Sequence, residues 1–259
     1  MKRLIILLGI VVALAGAGGA YFAFAGTSVA PYAPLGPGDT YLALGDSLAA
    51  GWSASNSNGY AARLNTQLQA QKPGLVFQSM AVPGETTVSF NNRQLPRALQ
   101  FLAAQQKAGK RVSPITLTMG GNDARNAEDG SIAERRAAIA LVRTNLGTAL
   151  DRLVKATTDA QGKRTADLVV MTYYNPWGGD PANETSPAYW SNELNRAITE
   201  TAAARGIPVA DVATPFDNGQ AYAWTNITVG DIHANNIGHE VIAKQFWQAL
   251  QYGAWPARK

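Results

Sequence analysis

The sequence predicts an α/β domain whose parallel sheet is covered by helices on both faces. Beyond residue 39, apolar runs of strand length alternate with amphipathic runs of helix length, which is the pattern of strands joined by helical crossovers. Such crossovers are right-handed and keep neighbouring strands parallel. The 259 residues include 46% hydrophobic side chains and no cysteine. A domain of about 200 residues can therefore fold on its apolar core alone, without disulfides.

The first 25 residues have the layout of an export signal or of an N-terminal membrane anchor. Lys2 and Arg3 precede an uncharged apolar run over residues 4–25, which ends in an Ala-Phe-Ala sequence. The run is also long enough to span a bilayer, which takes about 20 residues. Because positive residues stay on the cytoplasmic side, either interpretation places the rest of the chain outside the cytoplasm. Cleavage of this leader and its retention as an anchor both remain open.

Residues 26–38 form an uncharged, low-complexity run with three prolines, which predicts a semi-rigid tether. The remaining residues, 39–259, form the predicted globular domain. The formal net charge is +4, and without Lys2 and Arg3 there are 20 basic residues against 18 acidic ones. Because the basic residues are scattered along the chain, we expect no nucleic-acid partner.

Five strands and five helices are predicted in alternation. The strands are residues 40–44, 75–82, 115–119, 168–173 and 207–212. The helices are residues 60–71, 95–108, 132–160, 188–205 and 237–252. The third helix is the most clearly marked, since Ser131 and Glu134 form a capping box and apolar residues recur on one face. Ligands of such sheets bind beyond the carboxyl ends of the strands, so we expect the functional site there.

Residues with catalytic chemistry follow the predicted strands. Ser47 comes just after the first strand, Gly84 after the second and Asn122 after the third, while Asp231 and His233 precede the last helix. A serine hydroxyl needs a neighbouring base to become a nucleophile, and a tetrahedral oxyanion needs hydrogen-bond donors. The backbone N–H groups of Ser47 and Gly84 and the side-chain amide of Asn122 would supply three such donors. These residues together therefore predict an enzyme that catalyses acyl transfer.

Two histidines are available as the base, His233 and His239. His233 is predicted to lie in a loop before the last helix, from which a side chain can reach over the end of the sheet. His239 falls in the first turn of that helix, where packing or capping is expected instead. We therefore assign the base to His233.

Taken together, these segments resemble the SGNH hydrolases, also called GDSL-type esterases and lipases. The matching segments, in the family's order, are Gly45-Asp46-Ser47-Leu48, Gly84, Gly120-x-Asn122-Asp123 and His233-x-Asn235 with Gly238-His239. The resemblance covers residues 40–250 and implies a flavodoxin-like three-layer α/β/α sandwich with a five-stranded parallel sheet. It also implies that Ser47 is the nucleophile and His233 the base. The implied oxyanion hole consists of Ser47, Gly84 and Asn122, and no cofactor is implied.

The chain departs from the family pattern around its histidine. The family usually places an orienting aspartate three residues before the histidine, where this chain has Gly230, and Asp231 stands two residues before His233. We assign Asp231 as the third catalytic residue, with a backbone carbonyl as the alternative partner of the ring. Ala234 replaces the family's usual proline and Ala81 its common asparagine. These changes bear on loop rigidity more than on chemistry.

Competing motifs are absent or incomplete. No Gly-x-Ser-x-Gly occurs, which argues against the nucleophile turn of the α/β-hydrolases. No His-Glu-x-x-His spacing supports a metal site. Segment 175–190 contains Trp177, Tyr189 and Trp190, which are predicted either to wall the site or only to pack as a loop. Such walls suit acyl chains and sugar rings equally.

These observations predict an extracytoplasmic serine esterase or lipase without a metal or cofactor. We expect a monomer that acts on a small-molecule or lipid ester, with its leader in contact with the membrane. The alternative is an inactive envelope module that keeps the fold and binds glycans or acyl groups.

Overall fold

The computed structural model describes residues 31–217 and 219–255 of the chain. Its main strands are β1 Thr40–Gly45, β2 Val76–Ser79, β3 Val112–Thr118, β4 Leu168–Met171 and β5 Val209–Ala210. They form one parallel sheet in the order β2-β1-β3-β4-β5. The predicted α/β fold with a five-stranded parallel sheet is confirmed.

Helices lie between the strands and after them. In the described residues they are α1 Tyr60–Gln71, α2 Thr87–Ser89, α3 Leu95–Lys107, α4 Gly121–Asn126, α5 Ile132–Ala156, α6 Pro187–Ala203, α7 Ala213–Asp217, α8 Ala221–Trp224 and α9 Asn236–Leu250. A π-helical turn, Phe90–Gln94, joins α2 to α3. An antiparallel hairpin of β6 Thr225–Asn226 and β7 Asp231–Ala234 precedes α9.

The alternation of side chains along β1 explains the three layers. Tyr41 and Ala43 belong to the core that contains residues of α1 and α9. Leu42 and Leu44 belong to the opposite core, which contains residues of α3, α5 and α6. Residues two apart share a face of a strand, and all six residues of β1 are buried. The sheet therefore lies between two helical layers.

The order of the strands reverses between β1 and β3. β2 lies on one side of β1, and the chain then crosses to β3 on the other side. At such a switch the loops after the two adjacent strands diverge and leave a crevice at the carboxyl edge of the sheet. Ser47 lies in the loop after β1 and Asn122 in the first turn of α4, directly after β3, so both residues flank this crevice.

Several boundaries differ from the prediction. The predicted helix 132–160 ends four residues earlier, at Ala156, where the hydroxyl of Thr157 donates to the carbonyl of Leu153 at 2.8 Å. The predicted strand 75–82 is reduced to the four residues of β2. The short helix α4 and the hairpin before α9 were not predicted, because elements of two to six residues are too short to show a period.

The described part of the predicted tether, residues 31–38, lies against the domain. The N–H groups of Leu35 and Gly36 donate to the carboxylate of Asp167 at 2.9 and 3.0 Å. Asp167 also accepts a hydrogen bond from the hydroxyl of Tyr252 at 2.7 Å. Asp167 directly precedes β4, so this segment is fastened at the amino ends of the strands, opposite the crevice.

The predicted leader, residues 1–25, lies outside the described residues, as do residues 26–30. Across residues 31–217 and 219–255, no helix combines the length and the apolar character that crossing a bilayer requires. Export of the chain and the fate of its leader therefore stay predictions.

Candidate active site

The loop after β1 presents Ser47 at the crevice. Gly45 ends the strand with a φ of 125°, and a Cβ there would lie 2.1 Å from the carbonyl oxygen of Thr118 on β3. Only glycine lets the two strands approach this closely. The carboxylate of Asp46 holds the turn, accepting hydrogen bonds from the N–H of Leu48 at 3.0 Å and the hydroxyl of Thr118 at 2.7 Å. Ser47 itself is 9% exposed, so it opens on the crevice from a buried loop.

The structure brings Ser47, His233 and Asp231 into one chain of hydrogen bonds. Nε2 of His233 lies 2.8 Å from Oγ of Ser47, and Nδ1 of His233 lies 2.5 Å from Oδ1 of Asp231. A neutral imidazole with its proton on Nδ1 can take the serine proton on Nε2. This is the arrangement of a serine hydrolase triad, recognised by geometry rather than by sequence position.

The hairpin explains how Asp231 reaches the ring from two residues before His233. Both residues belong to β7, and residues two apart in a strand project from the same face. The backbone N–H of His233 also donates to Oδ1 of Asp231 at 3.0 Å. Nδ1 of the ring therefore contacts the Asp231 carboxylate rather than the backbone carbonyl that was the alternative.

Ser53 completes the surroundings of Asp231 and was not predicted. Its hydroxyl donates to Oδ2 of Asp231. Burial raises the pKa of Asp231, but the hydrogen bonds from Ser53 and His233 outweigh it and lower the pKa to about 2. Ser53 has a φ of 64°, a left-handed conformation that disfavours residues with a Cβ. No local pattern marks Ser53, since its partner lies 178 positions away.

Three hydrogen-bond donors that follow β1, β2 and β3 were predicted to bind an oxyanion. Within the described part of the chain, the backbone N–H groups of Ser47 and Gly84 donate to no acceptor. Gly84 has a φ of 78°, which favours glycine at this turn. The side-chain amide of Asn122 donates one hydrogen to the carbonyl of Glu85 at 2.9 Å. A primary amide has a second hydrogen, which remains for a substrate oxygen.

Buried polar side chains connect the three segments that follow β1, β2 and β3. Glu85, 2% exposed, accepts a hydrogen bond from Nε2 of Gln94 at 2.8 Å. Oε1 of Gln94 accepts the N–H of Gly45 at 2.7 Å, so Gln94 connects the loop after β2 with the end of β1. Asp123 accepts the N–H and the hydroxyl of Thr87 at 2.8 and 2.6 Å. Glu85 and Gln94 were not predicted from the sequence.

Tyr173 connects the loop that carries Ser47 with the start of α4. Its hydroxyl donates to the carboxylate of Asp46, and its ring packs on Gly121, where a Cβ would lie 2.7 Å from Cε1 of the ring. Burial raises the pKa of the Asp46 carboxyl group, and the hydrogen bonds from Tyr173 and Thr118 oppose that rise. Asp46 therefore holds the loop, as expected from the sequence, and has no contact that would make it a catalytic acid.

His239 lies away from the chain of hydrogen bonds that contains Ser47. It is fully buried, its Nδ1 accepts the N–H of Tyr60 at 3.2 Å, and its Nε2 donates to the carbonyl of Trp52 at 2.9 Å. Burial lowers the pKa of His239 to about 4, so the ring is neutral at pH 7. These contacts give His239 the packing position that was expected for it.

A cavity of about 370 Å³ opens beside Ser47 and His233. Trp177 and Trp190, two of the three aromatic residues in segment 175–190, line it. The third, Tyr189, packs edge-on against Trp190 with 5.1 Å between ring centroids. The segment therefore walls the site as well as packing on itself. In the described residues, no group of three or more acidic or histidine side chains is placed to hold a metal ion.

Comparison with known proteins agrees with this geometry. Residues 43–241 match the model of the GDSL-like lipase/acylhydrolase family. None of the curated proteins compared with the chain matches it.

Solved structures share the fold at low identity. Axe2, an acetylxylan esterase from Geobacillus stearothermophilus, is 16% identical, with a TM-score of 0.63 over 87% of this chain and 100% of that chain. LAE5, an alpha/beta hydrolase enzyme from the metagenome of Lake Arreo in Spain, is 19% identical, with a TM-score of 0.60 over 83% of this chain and 96% of that chain. The family match spans most of the domain and confirms the resemblance seen in the motifs. The chain belongs to the GDSL-like lipase/acylhydrolase family and is a serine hydrolase of ester bonds.

Proposed function

We propose that this chain hydrolyses carboxylic esters outside the cytoplasm through an acyl-enzyme on Ser47. The observation that carries the proposal is the 2.8 Å contact between Nε2 of His233 and Oγ of Ser47, with Asp231 on the other ring nitrogen. A hydroxyl in this position can transfer its proton as it attacks, so the nucleophile is activated at neutral pH.

The reaction divides into two halves. Oγ of Ser47 attacks the ester carbonyl carbon while Nε2 of His233 takes the hydroxyl proton. The N–H groups of Ser47 and Gly84 and the amide of Asn122 donate to the oxyanion. The carbon–oxygen bond of the ester then breaks, and His233 returns the proton to the departing alcohol. Water, deprotonated by His233, hydrolyses the acyl-enzyme by the same steps in reverse.

Asp231 stabilises the imidazolium that forms in each half reaction. Its low pKa, about 2, keeps the carboxylate ionised at neutral pH. A negative charge 2.5 Å from Nδ1 favours the protonated ring and holds it in the tautomer that accepts on Nε2. The alternative of an inactive binding module was motivated by the displaced aspartate and the altered loop residues, and this contact argues against the first of these two motives.

The proposed substrates are lipid-derived or short acyl esters, and the proposed location is outside the cytoplasm. The location rests on the leader, residues 1–25, with its two basic residues before an apolar run. Cleavage after Ala25 removes the leader, whereas retention leaves a membrane anchor. The mass of the protein purified from its native host distinguishes these outcomes, and recovery from the cytoplasm would contradict the proposed location.

Replacement of Ser47 tests the mechanism. Ser47→Ala is expected to lower kcat for a p-nitrophenyl ester by about 10⁴-fold or more. Because the change removes a single oxygen, the melting temperature should hardly move. A fluorophosphonate should label the wild type at Ser47 and leave the variant unlabelled. Unchanged turnover, or a folded wild type that resists labelling, would contradict the proposal.

The two histidines provide an internal comparison. His233→Ala should abolish turnover and leave the fold intact, because His233 is only partly buried. His239→Ala should instead lower stability, since it removes two buried hydrogen bonds. A larger loss of kcat at His239 than at His233, in folded proteins, would reverse the assignment of the base.

A further inference from the structure

A cavity lies beside Ser47, and none of the reaction steps above states which part of the substrate it binds. We propose that it binds the acyl chain of the substrate and is shaped for chains of medium length rather than for acetyl groups. The proposal rests on the esterase function above. The proposal specifies that the cavity binds the acyl chain of the ester and not its alcohol.

The buried part of the lining is mainly apolar. Leu48, Ile139, Trp190 and Leu194 line the cavity, each exposed by 8% or less. The buried carboxylate of Asp46 lines it too, but Asp46 already accepts hydrogen bonds from its own surroundings. The other charged side chains of the lining are exposed Arg125, Glu128 and Asp129 and partly buried Arg135, whose guanidinium lies over the ring of Trp190. An alkyl chain needs only apolar contacts, and the four buried apolar side chains supply them.

The size of the cavity also favours an alkyl chain over acetyl. Its volume of about 370 Å³ falls within the range of pockets for small organic ligands, about 300–1,000 Å³. A water-sized group takes about 30 Å³ in a liquid, so a chain of about twelve carbons fills the space. An acetyl group would leave most of it unoccupied.

The base, His233, lines the cavity and also lies against the ring of Trp52. The departing alcohol must lie next to His233, because His233 returns its proton. Beside that ring stands Trp52, 52% exposed, with 6.0 Å between the ring centroids, and Trp52 does not line the cavity. The cavity wall includes His233 as well as Asn122 and Gly121. In the proposal, the acyl group lies with its oxygen at Asn122 and extends along the buried apolar side chains, and the alcohol leaves past the exposed ring of Trp52.

The first test is the acyl-chain profile of the full-length enzyme. We expect kcat/KM for p-nitrophenyl esters to rise from two carbons to about twelve and then to fall, as the cavity fills. Each methylene that enters should raise kcat/KM by up to about fourfold. An active enzyme with its maximum at acetate would overturn the proposal and leave the esterase function standing. Absence of turnover at every chain length would instead contradict the esterase function itself.

Variants at Ile139 test whether this cavity sets the profile. Ile139→Phe should lower the octanoate-to-acetate ratio of kcat/KM by about tenfold through lost chain burial, and Ile139→Ala should move the maximum about two carbons longer. Leu141→Phe is the matched control, since Leu141 lies on the same helix, 44% exposed and outside the cavity. It should keep the wild-type profile. Melting temperatures identify any variant that fails to fold, and the wild-type profile and Ile139→Ala remain decisive in that case.

A second series of esters distinguishes binding of the acyl chain in the cavity from binding of the alcohol. Octanoate esters of alcohols of increasing length vary only the departing group. Ile139→Phe should change the acyl profile and leave this alcohol profile as in the wild type. A shift in the alcohol profile with an unchanged acyl profile would show that the cavity binds the alcohol, which contradicts the proposal.

Discussion

At the scale of single residues, Asp231 is held by two partners from distant parts of the chain. One oxygen accepts from the ring of His233, and the other accepts from the hydroxyl of Ser53. Ser53 keeps its side chain at a φ of 64°, although a left-handed conformation costs a residue with a Cβ about 1–2 kcal/mol. Such strain at a site points to a function for the side chain. We infer that the hydroxyl orients the carboxylate toward the ring.

Ser53→Gly is therefore expected to slow the enzyme with little effect on the stability of the fold. Stability should change by less than about 1 kcal/mol, because the relieved strain is offset by the chain entropy of glycine and by the lost hydrogen bond to Asp231. We expect kcat to fall about three- to tenfold with little change in KM, because the hydroxyl acts on Asp231 rather than on substrate. Urea unfolding and steady-state kinetics measure the two effects.

Ser57→Gly is the matched control for this experiment. Ser57 has a φ of 55° and is exposed, so the change relieves similar strain away from Asp231. It should raise stability and leave kcat unchanged. Equal kcat for Ser53→Gly and the wild type would show that the Ser53 hydroxyl has no role in turnover.

His239 is expected to make the fold sensitive to acid. Burial lowers its pKa from 6.5 to about 4, so the unfolded chain binds a proton at pH values where the folded protein does not. Its contribution to stability is complete above pH 6.5 and is lost as the pH falls toward 4, by about 3 kcal/mol. His239→Gln should be less stable at pH 7 but lose less stability between pH 7 and 4. Urea unfolding measures this difference, and parallel losses in the two proteins would argue against it.

At the scale of elements, the sequence revealed the long ones and missed the short ones. α1 was predicted with its observed ends, because an amphipathic period over twelve residues is unmistakable. The two- and four-residue strands of the hairpin show no period, so the residues around His233 were predicted as a loop. Ser47 and Asn122 were found because each follows a strand. Gln94 was missed because its partner Gly45 is 49 positions away and glutamine signals no chemistry by itself.

The close approach of β1 to β3 predicts a severe effect of Gly45→Ala. A Cβ 2.1 Å from the carbonyl oxygen of Thr118 must displace the end of β1, which carries Ser47. We expect a loss of about 3 kcal/mol or more from the clash and the strained φ, together with a large fall in kcat. Gly109→Ala is the control, because Gly109 has a φ of 69° but open space around its Cβ position. It should cost only about 1 kcal/mol, and equal effects in thermal unfolding would contradict the steric explanation.

At the scale of the whole molecule, the carboxyl ends and the amino ends of the strands have separate roles. The carboxyl edge carries the site, and the amino edge binds segment 31–38 through Asp167. Asp167 is fully buried and also accepts the hydroxyl of Tyr252, which follows α9. The Asp167 carboxylate thus connects segment 31–38 and the start of β4 with Tyr252, which follows the last helix.

Asp167→Ala should lower stability without affecting catalysis. The change leaves buried donors unpaired, so we expect a loss of about 3 kcal/mol, while kcat stays within about twofold because the site lies at the other edge. Thermal unfolding and kinetics test both statements. Asp159→Ala is the control, since Asp159 is only partly buried and accepts two backbone N–H groups in solvent-exposed hydrogen bonds. This change should cost only about 1 kcal/mol. A large fall in kcat for Asp167→Ala would show that the edges are coupled.

Fastening segment 31–38 to the amino edge also decides how the molecule would sit on a cell surface. Residues 26–30 span at most about 20 Å between the leader and this segment. A retained leader would therefore hold the domain near the bilayer with the mouth of the crevice turned away from it. Such an enzyme would take up dispersed esters from the surroundings more readily than the lipids of its own membrane.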